Sequence, residues 1–226
     1  MSIPIANYQE EQAQFNALLE PTSARRILMY QGESGCGKTH LVEWCVEQVP
    51  AHMRYLSVQL RGSDTTAAHI FYRLGRSIGW DRLNTFNQHI ASLVQKPAAN
   101  DQAVSLEMRS HLDSLLQKSE PEARKQHRAT ITDAWFADAS TFRSPLLLVL
   151  DTYEQATTEL DQWFSQQFLP WVADTSSVRV LVAGQKVPDQ SSDWRHCCSY
   201  HELKGVHDAK EWLPIAQEMG REVASI

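Results

Sequence analysis

The chain has 226 residues, of which 42% are hydrophobic and 21% are charged, with a formal net charge of −6. That length allows one large domain with an ample core, and the acidic balance excludes nucleic-acid binding through bulk positive charge, leaving only a local basic patch open. No stretch resembles a membrane span and the polar N-terminus lacks a signal-peptide pattern, so we expect a cytoplasmic protein.

The first predicted elements are a helix and a strand. Across residues 8–19, apolar side chains recur among glutamates and glutamines, which predicts a short amphipathic helix within a lead-in of residues 1–24. Residues 27–30 then form an apolar run, which predicts a first strand at residues 26–30, within a core that we place at residues 25–206.

A glycine-rich motif, G-x-x-x-x-G-K-T, follows this strand directly and runs into a helical stretch at residues 38–49. At such a junction several backbone N–H groups and the positive end of a helix dipole converge on one anion, so the motif predicts a phosphate-binding loop. We expect the lysine at the β- and γ-phosphates and the threonine hydroxyl on Mg²⁺. The predicted nucleotide-binding residues are Gly32, Glu33, Ser34, Gly35, Cys36, Gly37, Lys38 and Thr39.

The middle of the chain is predicted to be mostly helical. A second strand at residues 54–60 precedes a helix that Gly79 closes, and a helical insert of about residues 81–142 follows, with breaks near residues 97–100 and 119–121. We expect two or more helices in the insert. Packing against the sheet is favoured over a role in partner specificity.

An acidic element follows the insert. Residues 145–150 read as a strand buried on both faces, and Asp151 comes at its carboxyl end, where open α/β sheets bind ligands. Asp151 is therefore the second predicted Mg²⁺ ligand, beside Thr39. Glu154 is close enough in sequence to polarise an attacking water. The alternatives, a helix N-cap for Asp151 and a solvated surface position for Glu154, stay open.

Beyond this element the alternation of helices and strands resumes. We predict a helix at residues 160–171, strands at 178–183 and 200–203, and a final helix at 208–219 within a C-terminal segment, 207–226, that could begin a lid or a next domain. This order predicts an α/β fold with a mainly parallel sheet covered on both faces. It is the pattern of a P-loop NTPase three-layer sandwich with five strands and a helical insert.

Several segments together resemble the ATPase core of bacterial STAND proteins, the signal-transduction ATPases related to AAA+ and NACHT modules. They are the loop GESGCGKT, the strands LLLVLDTYEQA and VRVLVAGQKVP, Trp194 and the segment from Glu202 to Val206, and residues 7–10 sit where the family has its adenine-side lead-in. The resemblance implies ATP and Mg²⁺ as ligands. It also implies that the phosphate-loop strand lies between the strand at 178–183 and the strand near residue 200. The strand that ends in Asp151 would lie on the other side of the 178–183 strand.

The resemblance implies roles for individual residues too. Lys38 and Thr39 would contact phosphate and Mg²⁺, Asp151 would complete the metal site, and Glu154 would activate water. Family members often carry an arginine where this chain has Gln185. A neutral amide can sense the γ-phosphate by hydrogen bonding but lacks the charge that stabilises phosphoryl transfer, so we expect slow hydrolysis.

These features predict an ATP-binding nucleotide switch with slow Mg²⁺-dependent hydrolysis, acting in signalling or regulated assembly. Since the family usually continues into winged-helix, sensor and effector regions, we expect protein partners in a longer chain or separate chains, and a possible ATP-dependent homo-oligomer. Three alternatives stay open: a nonhydrolysing scaffold if Glu154 points away from the nucleotide, a DNA-remodelling AAA+ relative with a basic stripe in the insert, and a small-molecule kinase with Asp64 as its base.

Overall fold

A five-stranded parallel sheet forms the centre of the structure, a computed structural model that describes residues 8–95 and 101–205. Its strands lie in the order β2-β3-β4-β1-β5, and every neighbouring pair is parallel. The predicted P-loop NTPase fold class is confirmed, including the place of β1 between β4 and β5. The strands are β1 (Ile27–Gly32), β2 (Arg54–Gln59), β3 (Leu146–Asp151), β4 (Val178–Gly184) and β5 (Cys198–Leu203).

Helices cover both faces of this sheet. In chain order they are α1 (Gln9–Leu19), α2 (Lys38–Glu47), α3 (Ala67–Ile78), α4 (Asn84–Val94), α5 (Asp101–Asp113), α6 (Pro121–Ala139), α7 (Thr158–Trp163) and α8 (Leu169–Asp174). A π-helical turn at Phe164–Phe168 joins α7 to α8. Because Pro170 has no N–H to donate, the helix cannot keep its regular hydrogen-bond ladder there, which accounts for the widened turn.

The boundaries of α3 follow from local chemistry. Its N-cap Thr66 accepts a hydrogen bond from the His69 backbone N–H at 3.2 Å, and the helix ends at Gly79, whose φ of 100° suits only glycine. Between these ends, residues at helical spacing are buried: Ile70, Phe71, Leu74 and Ile78. The predicted end of this helix at Gly79 is confirmed.

The helical insert consists of α4, α5 with a π-helical turn at Ser114–Lys118, and α6. The predicted break at residues 119–121 is present, since Ser119 is extended and Pro121 begins α6. The break near residues 97–100 lies outside the described residues. No side chain at the N-cap position caps α4; instead the buried Asp138 carboxylate of α6 accepts from the backbone N–H groups of Thr85 at 3.0 Å and Phe86 at 2.8 Å.

Two hydrophobic layers lie on opposite faces of the sheet, because successive side chains of each strand alternate between them. We call the larger one, which joins the sheet to the insert and to α7 and α8, the aromatic layer. We call the smaller one, under α1 and α2, the loop layer. The aromatic layer includes Phe71, Phe86, Trp135, Phe136, Trp163 and Phe168. The loop layer includes Tyr8, Phe15, Leu18, Leu28, Leu41 and Cys45.

A buried arginine fastens α1 to the sheet. Arg179 of β4 is only 2% exposed, and its Nε donates to the carbonyl of Leu18 at 3.1 Å, near the C-terminus of α1. A cation at that end complements the helix dipole. Its Nη1 donates to the carbonyl of Ser176 at 2.6 Å.

Within residues 8–95 and 101–205, no helix combines the length and the apolarity needed to cross a membrane. The prediction for residues 207–226, including the helix at 208–219, lies outside the described residues.

Candidate functional site

The glycine-rich loop leaves the carboxyl edge of the sheet at the end of β1. A Cβ on Gly32 would lie 2.8 Å from both the Cys36 Sγ and the Leu203 carbonyl oxygen, so no larger residue fits there without a shift. Gly35 and Gly37 have φ values of 81° and 92°, in the left-handed region that favours glycine. The three glycines thus allow the tight turn that the motif predicted, with Glu33 and Ser34 exposed at its tip.

Lys38 begins α2 and folds back over the loop. Its Nζ donates to the carbonyls of Gly32 at 2.7 Å and Glu33 at 2.6 Å, and lies 3.7 Å from the Cys36 Sγ. None of these partners is a carboxylate, so the ammonium charge is oriented by neutral dipoles. Cys36 is buried, and its thiol is not in a disulfide.

Thr39 and Asp151, the two residues predicted to ligate Mg²⁺, lie together at the end of β3. The Thr39 hydroxyl donates to Asp151 Oδ2 at 3.5 Å, and Asp151 Oδ1 accepts from the Thr152 backbone N–H at 2.8 Å. Burial raises the pKa of Asp151, opposed by these two hydrogen bonds, while the nearby Glu154 raises it further. A hydroxyl beside a buried carboxylate is a donor set that fits a hard divalent cation.

The residue after Asp151 has a strained backbone. Thr152 has φ 60° and ψ 43°, the left-handed conformation that a β-branched residue rarely adopts. Such strain costs on the order of 1–3 kcal/mol and is found preferentially at functional sites. Here it directs the chain sharply away from β3, into the turn that carries Glu154.

Glu154 and Gln185 are brought together, although 31 residues separate them in sequence. The Glu154 Oε2 accepts the backbone N–H of Gln185 at 2.8 Å, at the end of β4. Gly184 makes room for it, since a Cβ there would lie 2.8 Å from that same oxygen. Glu154 is half-buried and hydrogen-bonded rather than a freely solvated surface residue.

Tyr8 contacts the back of the loop, a contact that sequence reasoning missed. Its hydroxyl donates to the carbonyl of Cys36 and faces the Lys204 carbonyl at 3.1 Å, and its ring packs beside Gly37. Burial, followed by the neighbouring Cys36, raises the pKa of Tyr8 to about 12, so the phenol stays a neutral donor. The available signal was an aromatic residue that precedes the polar start of the lead-in helix.

Residues invoked for two alternative functions lie elsewhere. Asp64 is exposed on the turn Gly62–Asp64 beyond β2 and lines a different cleft. In the insert, Arg128 and Arg124 pair with Glu159 at 2.8 and 3.4 Å, so these two basic side chains do not form an unpaired stripe.

The sequence matches one protein-family model. Residues 9–185 match the family described as nephrocystin 3, N-terminal. No curated protein sequence matches the chain.

Among the solved structures that resemble this fold, three illustrate the likeness. The Walker-type ATPase PABY2304 of Pyrococcus abyssi has 11% sequence identity and a TM-score of 0.48, and the match covers 97% of this chain and 60% of that chain. Cdc6p of Pyrobaculum aerophilum has 13% identity and a TM-score of 0.49, with 96% of this chain and 50% of that chain covered. A chain of the E. coli MS115-1 HORMA:CdnC:Trip13 complex has 12% identity and a TM-score of 0.45, with 98% of this chain and 71% of that chain covered. The chain thus spans 60% and 50% of the length of the first two.

Proposed function

This chain belongs to the family described as nephrocystin 3, N-terminal, and from that premise we propose that it is an ATP-binding nucleotide switch that hydrolyses ATP slowly with Mg²⁺. One observation carries the proposal: a glycine loop, the Lys38 ammonium and the Thr39–Asp151 pair converge at the carboxyl edge of a parallel sheet. The P-loop binding mode requires these groups at this position.

The loop residues would bind the triphosphate. Lys38 is held by two carbonyl oxygens, which are weaker partners for an ammonium than phosphate oxygens are, so its Nζ can exchange them for the β- and γ-phosphates. Thr39 and Asp151 would hold Mg²⁺, which supplies positive charge against the phosphates when bound. The buried Asp151 carboxylate, whose pKa is raised by burial, is suited to such a cation.

Glu154 and Gln185 would set the rate of hydrolysis. In the proposed role Glu154 orients the attacking water. The hydrogen bond from the Gln185 backbone N–H holds the Glu154 carboxylate at the end of β4. Gln185 presents an amide where an arginine would supply charge to the transition state, which supports slow turnover.

A role in signalling or regulated assembly is the finer part of the proposal, and it follows the STAND resemblance. The switch would act through sensor or effector modules in the same or separate chains, and through ATP-dependent self-association. Analytical ultracentrifugation with and without Mg-ATP tests the second route: a nucleotide-dependent rise in mass supports it, and equal mass opposes it.

Nucleotide binding is tested at Lys38. The substitution Lys38→Ala should weaken ATP affinity at least tenfold, about 1.4 kcal/mol, in calorimetric titration. Lys125→Ala, which removes an exposed lysine of α6 remote from the loop in sequence, is the matched control and should bind ATP like the wild type. Equal affinity for the Lys38 variant would overturn the assignment of the loop.

A nonhydrolysing ATP-dependent scaffold is the second candidate. The observation in its favour is that the Glu154 carboxylate is occupied by the Gln185 backbone N–H at 2.8 Å. Single-turnover phosphate release separates the two candidates. Bound ATP that is released intact, with no phosphate formed, would favour the scaffold, and slow phosphate release would favour the switch.

A further inference from the structure

A polar cleft of about 240 Å³ lies between α3, the turn Gly62–Asp64 and the C-terminal part of α5. Its walls include Asp64, His69, Tyr72, Arg109, Asp113 and Gln117. None of the phosphate-loop residues lines it, so it is distinct from the site described above.

Two opposite charges face this cleft without neutralising each other. Arg109 packs its guanidinium carbon 5.8 Å from the centroid of the Tyr72 ring, and it forms no ion pair within the part of the chain that the structure describes. Asp113 is one helical turn away, yet its Oδ1 accepts from the Gln117 Nε2 at 2.8 Å instead. Within the described residues neither side chain has an oppositely charged partner, and the Asp113 Oδ2 accepts no hydrogen bond.

The Gln117 amide connects two walls of the cleft. The Gln117 Nε2 also lies 3.1 Å from the Thr66 hydroxyl, which ties the π-helical turn to the start of α3. Burial lowers the pKa of His69, and the neighbouring Arg73 and Arg109 lower it further against the opposing effect of Asp113, which favours the neutral ring. Arg109 is then the cationic group of the cleft, and Asp113 and the exposed Asp64 are its anionic groups.

We propose that this cleft binds a small zwitterion of the free amino acid class. Its carboxylate would pair with the Arg109 guanidinium, which matches a carboxylate with two parallel N–H groups, and its ammonium would lie against Asp113 and Asp64. The size agrees, because drug-sized ligands occupy pockets of about 300–1,000 Å³ and this cleft is smaller. An inorganic anion alone would leave the two carboxylates unmatched.

One wall of the cleft follows directly in sequence from β2, which pairs with β3 at the edge of the sheet where we propose that nucleotide binds. Gln59 pairs with Asp151 in register, and the Leu60 backbone N–H donates to the Asp151 carbonyl at 2.9 Å. From there the chain runs directly into the turn that carries Asp64. The zwitterion would thus bind close in sequence to the strand pair that ends at the proposed metal ligand.

The test uses the full chain without nucleotide, so that its outcome is independent of ATP binding. Each of the twenty proteinogenic amino acids is titrated singly at millimolar concentration, with binding followed by ligand-observed NMR and calorimetry. We expect saturable binding of at least one of them. Its N-acetyl derivative, which lacks the cation, and its carboxamide, which lacks the carboxylate, should each bind at least tenfold more weakly.

Two variants and a matched control locate the binding. Arg109→Gln and Asp113→Asn should each weaken binding of the amino acid at least tenfold. Arg76→Gln should not, because Arg76 packs against the same Tyr72 ring at 6.0 Å but does not line the cleft. Absence of binding by all twenty amino acids, equal binding of the N-acetyl derivative or of inorganic phosphate, or undiminished binding by both variants would overturn the proposal.

Discussion

The two faces of the sheet are built by different means. In the aromatic layer, rings pack edge to face at short range, with centroid distances of 4.7 Å for Trp135–Phe136 and 5.3 Å for Phe71–Trp163. In the loop layer, single polar side chains connect the elements, as Tyr8 does to the phosphate loop and Arg179 does to α1. Stability should therefore depend mainly on the first layer, and nucleotide binding on the second.

This difference has a physical basis. Large rings bury much apolar area and fix one another's positions, which stabilises a rigid layer. A phosphate loop must instead leave its N–H groups free for a ligand, so its own packing is limited to glycines and a few directed hydrogen bonds. We expect the loop layer to respond to nucleotide while the aromatic layer stays unchanged.

The largest expected effect is on folding. Trp163→Ala should lower the free energy of unfolding by about 3–5 kcal/mol, because the indole is 1% exposed and its N–H donates to the Thr132 hydroxyl at 3.0 Å. The matched control is Trp44→Ala in the loop layer, where the ring is only half-buried. Urea unfolding measures both. An equal loss from the two variants would contradict the proposed division between the layers.

The next effect is on catalysis. Glu154→Gln should leave ATP affinity intact and lower turnover about 100-fold, about 2.7 kcal/mol of transition-state stabilisation, because the amide cannot accept a proton from water. Single-turnover phosphate release measures the rate, and calorimetry the affinity. Glu159→Gln, on the exposed side of α7, is the control. Unchanged turnover in the Glu154 variant would remove that residue from the chemistry.

The fold and the nucleotide edge were predictable because their signals are local. Continuous apolar runs mark strands buried on both faces, and the glycine spacing marks the turn that Gly35 and Gly37 make. The assignments of Asp151, Glu154 and Gln185 to particular catalytic roles remain predictions, since their geometry alone does not measure reactivity.

Contacts between distant residues could not be predicted from one sequence. Asp138 caps α4 across 52 residues, and Tyr8 reaches Cys36 across 28. Neither pair has a fixed spacing that a pattern could detect, because each depends on how helices pack after the sheet has formed. The same holds for the cleft around Arg109, whose walls come from α3, α5 and the turns Gly62–Asp64 and Ser114–Lys118.

A smaller effect is expected at Gln185. Gln185→Arg should raise basal turnover about tenfold, since a guanidinium at the end of β4 would add positive charge near the γ-phosphate. The control Gln190→Arg adds the same charge to an exposed position a few residues later. Turnover of the wild type should also rise with protein concentration if a second copy supplies an arginine. Fast, concentration-independent wild-type turnover with no gain in the variant would show that Gln185 is not a deficient sensor.

The smallest expected effect concerns Tyr8, where one hydroxyl links the lead-in to the phosphate loop. Tyr8→Phe keeps the ring beside Gly37 and removes only the hydrogen bond to the Cys36 carbonyl, so the free energy of unfolding should fall by about 0.5–1.5 kcal/mol. ATP affinity should fall as well, by less than tenfold, because the loop loses the hydrogen bond to its Cys36 carbonyl. Tyr72→Phe is the control, since the Tyr72 hydroxyl makes no hydrogen bond within residues 8–95 and 101–205. If Tyr8→Phe lowers the free energy of unfolding but leaves ATP affinity unchanged, the Tyr8 hydroxyl stabilises the contact of the lead-in with the loop but does not position the loop for ATP. The loop layer would then respond to nucleotide independently of α1.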